Sequence, residues 1–211
     1  MTKNNLPKWK TYQKLLKQSK KKSRKSVELG FRDLEHIDGM ITRANARYRM
    51  AKSFSGISLD GFSQKTIDGY NALLKAALVY SAFEAYVNTL DRKDGEGFYQ
   101  RGYRLLDPEK RKKISKKILK LDKDRKFYSF VLQYTDPKQG KQSRKHIVKF
   151  YEGEEHNQIY LLSSLRHLFF HGILTPHANG VKPARVVKIG NLLSDFFLKQ
   201  IEDNFNMKIG E

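Results

Sequence analysis

The sequence predicts an all-α protein built as a helical bundle, and three stretches carry that expectation. Between residues 64 and 90, Leu73, Leu74, Ala77, Leu78, Ser81, Ala82 and Ala85 recur at steps of three and four, and their small members let a partner helix approach closely. Residues 154–172 start with acidic side chains at the positive helix end and stop at Gly172, a C-terminal cap residue, with Pro176 beyond. Residues 191–206 set Leu192, Leu193, Phe196, Phe197, Ile201 and Phe205 on one face. With the basic stretch 109–121 these make four core helices.

Taken in chain order, residues 1–25 are a basic N-terminal segment in which Trp9, Tyr12, Leu15 and Leu16 have helix-like spacing. This extension reads either as a basic amphipathic helix that docks on a polyanion or as a frayed tail, because "KQSKKKSRK" has nothing to bury. Residues 26–211 form the helical domain. Its first part, 26–50, reads as helical with Val27, Leu29, Phe31, Leu34, Ile37 and Ile41 inward, and 53–63 as a loop. Residues 91–108 also read as a loop: their glycines at 95, 97 and 102 do not match a phosphate-binding fingerprint. Between 127 and 151, "FYSFVLQYT" and "KHIVKFY" flank a turn-like "DPKQGKQSR", and this pair is a short β-hairpin or two short helices.

The chain of 211 residues is long enough to bury a real core. No run of ~18 apolar residues is present to span a bilayer, and the lysine-rich N-terminus lacks the apolar stretch of a secretory signal, so the expectation is a soluble, cytoplasmic protein without a membrane partner. Absence of cysteine excludes disulfides, cysteine nucleophiles and thiolate metal sites. The formal net charge is +20, of which residues 1–25 contribute +10 and residues 109–126 contribute +7. Two cationic blocks on a nearly neutral body suit a phosphate backbone. The candidate RNA-binding residues are therefore Lys20, Lys21, Lys22, Arg24 and Lys25 in the first block, and Lys110, Arg111, Lys112, Lys113, Lys116 and Lys117 in the second.

The stretch "LLSSLRHLFFHGILT", residues 161–175, holds Arg166, His167 and His171 in the most hydrophobic helix of the chain. His167 and His171 are four apart and share a face, whereas Arg166 and His171 lie about 140° apart round the axis. Three readings stand. Arg166 pairs with a carboxylate from another helix while the histidines pack, at the cost of satisfying three polar groups inside a core. The two histidines hold a metal, although a zincin needs Glu where Leu168 stands. Or Arg166 holds a phosphate as a permanent fork-shaped cation while a histidine moves a proton at a 2′-hydroxyl or leaving oxygen.

Arg166-His167-x-x-x-His171, closing an apolar helix just before Gly172, resembles the arginine, four-to-six-residue, histidine motif of the HEPN superfamily, in which the residue after the arginine is commonly polar. The upstream "ALVYSAFEAYVNTL", with Glu84 in it, is similar to the first core helix of such domains. The resemblance covers about residues 71–90 and 159–174. It implies a HEPN-like bundle that forms a homodimer, in which two motif helices meet at one composite ribonuclease site. The implied activity is metal-independent RNA cleavage leaving a 2′,3′-cyclic phosphate, with no cofactor, often in toxins or antiviral (phage-defence) effectors that have an antitoxin or regulatory protein as partner. Carried over, Arg166 polarises the phosphate, His171 is the acid/base residue, His167 orients the site and Glu84 supports it. Burial of the motif helix at the two-fold interface would pack Leu161, Leu165, Leu168 and Phe169 there. The rival expectation is a HEPN-like module that binds RNA or a protein without cleaving.

Overall fold

The computed structural model describes residues 4–19, 22–135, 140–177 and 180–210. Among these residues the fold is all-α. Ten helices follow one another: α1 (Trp9–Gln18), α2 (Lys22–Glu28), α3 (Ile37–Ser53), α4 (Gln64–Val87), α5 (Phe98–Leu105), α6 (Pro108–Leu121), α7 (Lys126–Tyr134), α8 (Lys141–Glu152), α9 (Gln158–Phe170) and α10 (Pro183–Ile209). The only β-type pairing among them is an isolated antiparallel bridge between Phe31 and Leu90. No helix of the described residues is long and apolar enough to cross a membrane.

α4 is the central element, packed on α10, α3 and α9. It starts where the Ser63 side chain accepts the Thr66 N–H, a helix N-cap. Ala72, Ala76, Ala77 and Ala82 are buried along it, and these small side chains let its neighbours sit close. α10 begins at Pro183, earlier than the expected 191, because Val186 and Ile189 extend the same buried stripe as Leu193, Phe197 and Ile201. Proline at the first helical position is a helix starter there, not a breaker.

The N-terminal segment joins the same core. Trp9 and Tyr12 of α1 are buried, with Tyr12 at ring-centroid distances of 5.8 Å from Phe205 and 6.2 Å from Phe31. Asn45 of α3 accepts the Leu6 N–H at 2.9 Å, which ties the start of the chain to the bundle. The 26–50 stretch is not one helix: α2 ends at Glu28, and residues 29–36 form the connection that carries the Phe31 bridge.

Residues 127–151 form two helices rather than a hairpin. Phe127, Phe130 and Val131 of α7, and Ile147, Phe150 and Tyr151 of α8, are buried at helical spacing. Asp122, itself almost fully buried, fixes the pair. It accepts the backbone N–H groups of Phe127 and Tyr128, the Tyr151 hydroxyl and, at 2.7 Å, the Arg185 guanidinium of α10. The expected loop at 91–108 contains α5 instead, and α9 starts at Gln158 with Asn157 as its N-cap, four residues later than the acidic residues suggested.

Candidate functional site

The C-terminal half of α9 carries the motif. Leu161, Leu162, Leu165 and Leu168 are buried within the same chain, so one face of the helix completes the monomer core. This corrects the expectation that Leu161, Leu165 and Leu168 pack across a dimer interface. The opposite face is exposed and holds Arg166, His167 and Phe170, followed by exposed His171.

The helix ends as its sequence predicts. His171 is the C-cap, and Gly172 takes φ +70°, where a side chain would be strained. The Ile173 N–H donates to the Leu168 carbonyl at 2.9 Å and the Gly172 N–H to the Phe169 carbonyl at 3.0 Å, the double closure of a Schellman motif. Beyond it, His177 Nε2 and Thr66 Oγ1 of α4 are hydrogen-bonded at 2.9 Å, which pins the following loop to the bundle. This closure holds His171 beside the last turn, its ring centroid 4.3 Å from that of His167.

Arg166 lies over aromatic rings and not against a carboxylate. Its guanidinium carbon is 5.3 Å from the Tyr80 ring centroid and 5.7 Å from that of Phe170, and no ion pair accompanies it among the described residues. Tyr80 of α4 is buried beneath it, and burial, Tyr99 and Glu84 push its hydroxyl pKa up. Glu84 is half-buried one turn further along α4 and acts on Tyr80, not directly on Arg166. The reading in which a carboxylate from another helix neutralises Arg166 is therefore not what the fold contains.

Large apolar side chains frame this face. Phe170 is 63% exposed and Phe62 is 52% exposed. Tyr70 and Phe169 link them in a row, with centroid separations of 6.3 Å, 6.5 Å and 5.5 Å from Phe62 through to Phe170. An exposed apolar strip beside charged groups marks a surface for a partner. Sequence reasoning missed Tyr80, Phe62 and Tyr70; the signal for Phe170 was its place after the last inward position of α9.

The basic blocks lie elsewhere. Lys20 and Lys21 fall outside the described residues, as does the side chain of Lys22. Arg24 and Lys25 both reach Glu28, at 3.7 Å and 3.1 Å. On α6, Lys110 pairs with Asp203 at 2.7 Å, Arg111 with Glu155 at 3.7 Å and Lys112 with Glu109 at 3.2 Å. Lys113, Lys116 and Lys117 are exposed on the same helix and have no carboxylate partner among the described residues. α6 meets the N-terminal end of α9, where Gln158 bonds Ser115 at 3.1 Å. Arg166 is eight residues further on, roughly 12 Å along the axis. The fold thus joins Arg166, His167 and His171 and leaves the second basic block at the other end of the helix.

Among the described residues no three His, Asp or Glu side chains are grouped to hold a metal ion. Fold and site together define an all-α protein with an arginine and two histidines on a solvent-facing helix end. No family model, no curated protein and no solved structure matches the chain.

Proposed function

We propose that the chain is a HEPN-like, metal-independent endoribonuclease whose site is built on Arg166, His167 and His171. The observation that carries this reading is an exposed Arg166 with no carboxylate partner among the described residues, beside a His167–His171 ring pair 4.3 Å apart. An arginine left open in this way has its fork available for a phosphate. Cleavage then proceeds by attack of the 2′-hydroxyl on the adjacent phosphorus. The P–O bond to the 5′-oxygen breaks, one imidazole takes the 2′-hydroxyl proton and another supplies a proton to the departing oxygen. His171 is the proton-transfer residue and His167 orients it; the developing charge on phosphorus oxygens falls to Arg166.

The apolar strip from Phe62 to Phe170 supports pairing of two copies about this face, which would bring two His171 side chains to one scissile phosphate. A toxin or antiviral role, with an antitoxin or regulatory protein as partner, extends the reading by family resemblance alone.

The test is incubation of wild type, Arg166→Ala and His171→Ala with an end-labelled structured RNA, with and without EDTA. Cleavage by wild type in EDTA, ending in 2′,3′-cyclic phosphate and lost in both variants, is the expected result. Equal cutting by wild type and His171→Ala, or none by either, would sink the reading. In that case the rival stands, a module that binds RNA or protein without cleaving, which the exposed Lys113, Lys116 and Lys117 favour.

A further inference from the structure

At the other end of α9 a groove opens between α6 and the α8–α9 connection, with a volume of about 610 Å³. Arg111, Lys112 and Lys116 of α6 line one side, and Leu119 and Phe150 supply apolar wall. Ser115, His156 and Gln158 also line it, and all three are buried. The size is that of a small-molecule site with few polar groups in fixed places.

Those polar groups have a definite hydrogen-bond arrangement. His156 Nδ1 lies 2.8 Å from the Glu154 carbonyl, so that nitrogen carries the proton and donates. Burial lowers the pKa of this ring and keeps it neutral, which makes Nε2 an acceptor. The Ser115 hydroxyl meets Nε2 at 2.9 Å, and the Gln158 amide nitrogen meets Nε2 at 3.2 Å and Ser115 Oγ at 3.1 Å. The Gln158 amino group is thereby consumed. Its Oε1 is buried and has no hydrogen-bond partner among the described residues, in a side chain only 3% exposed. A buried acceptor left open is costly unless a donor arrives.

The rest of the lining says what brings that donor. Lys116 has no carboxylate partner among the described residues, and Arg111, its guanidinium 3.8 Å over the Tyr103 ring, has a buried Nε without a partner. The two acids at the rim are occupied: Glu154 by Lys149, and Glu155 by Arg111 and the Tyr103 hydroxyl. The groove thus offers cations at one side, apolar wall between, and one buried acceptor. We propose that it binds a single nucleotide, with the phosphate toward Lys112, Lys116 and Arg111 and a base N–H on Gln158 Oε1.

A second cavity, of about 740 Å³, shares Tyr103, Glu155 and His156 with the first and is lined by Tyr99, Tyr160 and His146. These three rings are stacked, with Tyr160 4.0 Å from Tyr99 and 4.4 Å from His146. Tyr160, Ser163 and Arg166 follow on successive turns of α9, roughly 9 Å from first to last. Tyr160 and Arg166 lie about 120° apart round the axis. The pocket stands apart from the ribonuclease reading, whereas seating a nucleotide of an RNA strand there, beside the cleavage site, rests on it.

Calorimetric titration at fixed salt tests this. The full chain is titrated with AMP, GMP, CMP, UMP and ribose 5-phosphate, and with 2′-O-methyl oligonucleotides that cannot be cleaved by 2′-hydroxyl attack. Gln158→Met and the double variant Lys112→Ala/Lys116→Ala are compared with wild type, with melting curves to verify folding. Binding of a mononucleotide tighter than ribose 5-phosphate, weakened about tenfold by Gln158→Met, assigns the pocket to free nucleotide. Binding of oligonucleotides only, with a base preference that Gln158→Met flattens, assigns it to a nucleotide of an RNA strand. The lysine variant, which alters exposed side chains, weakens binding in either case and lowers its salt dependence. No binding, binding unmoved by both variants, or loss in the lysine variant without any base dependence overturns the proposal. Because the oligonucleotides are uncleavable, none of these results depends on whether the chain cuts RNA.

Discussion

Two pairs of histidines, one at each end of α9, are held in opposite ways. His156 is buried and His146 half-buried, and each has a ring nitrogen tied: His156 Nδ1 to the Glu154 carbonyl and His146 Nδ1 to the Asn157 N–H at 3.2 Å. His167 and His171 are exposed, their rings tilted against each other at 4.3 Å, next to an arginine that no carboxylate neutralises among the described residues. The contrast separates histidines that complete an architecture from histidines that the architecture presents. Burial with a ring nitrogen held by the backbone fixes the tautomer, which suits positioning. Exposure puts the imidazole ring where a substrate can reach it, which suits acid/base work.

The comparison breaks most sharply on paired substitutions. His171→Ala is expected to lower RNA cleavage by about 10²- to 10⁴-fold and to leave the melting temperature where it was. His156→Ala is expected to destabilise by about 1–3 kcal/mol, since it strands the Ser115 and Gln158 groups, and denaturant unfolding reads this directly. If His171→Ala instead destabilises as much as His156→Ala, the exposed pair is architectural too and the division fails. A smaller loss, about 1–2 kcal/mol, is expected for Gly172→Ala, because φ +70° forces a side chain into the left-handed region at the cap that holds His171. Cleavage should fall along with stability in that variant; unchanged cleavage would mean that the cap does not set the His171 position.

The two ends of α9 also differed in how far the sequence revealed them. Arg166, His167, His171 and the Gly172 cap are local in sequence, so spacing alone brought them together. The direction of the helix was not local. Leu161, Leu165 and Leu168 looked available for a second copy, but α4 and the neighbouring helices cover them in the monomer, and the exposed apolar groups include Phe170 and Phe62 instead. The groove was illegible for the same reason, since Arg111, Ser115, His156 and Gln158 meet only when α6 packs on the start of α9. A turn-forming residue misled once. Gly102 read as loop, yet it lies in α5 because a Cβ there would stand 2.6 Å from Ile159 Cδ1: the glycine serves close packing. The last helix was expected from residue 191, yet Pro183 is the first residue of α10.

The smallest expected effect sharpens the comparison by pH. Burial holds the pKa values of His146 and His156 below the ordinary value of about 6.5, with nearby Lys149, His156 and Lys145 adding to the effect on His146, and Arg111 to that on His156. Below pH ~6.5 the unfolded chain therefore binds protons that the folded chain refuses, and stability falls as pH drops from there toward the lower folded values. Above pH ~6.5 this contribution is fully present. The carboxylates Glu202 and Asp203, whose pKa values are depressed by hydrogen bonds from Tyr48 and Lys110 despite burial, lose their share in a separate, more acid window. Denaturant unfolding between pH 7.5 and 5 should thus show a decline that is shallower in His156→Ala and in His146→Ala than in wild type. An equal decline in all three would remove the buried pair as its source, and with it the distinction between the two ends of the helix.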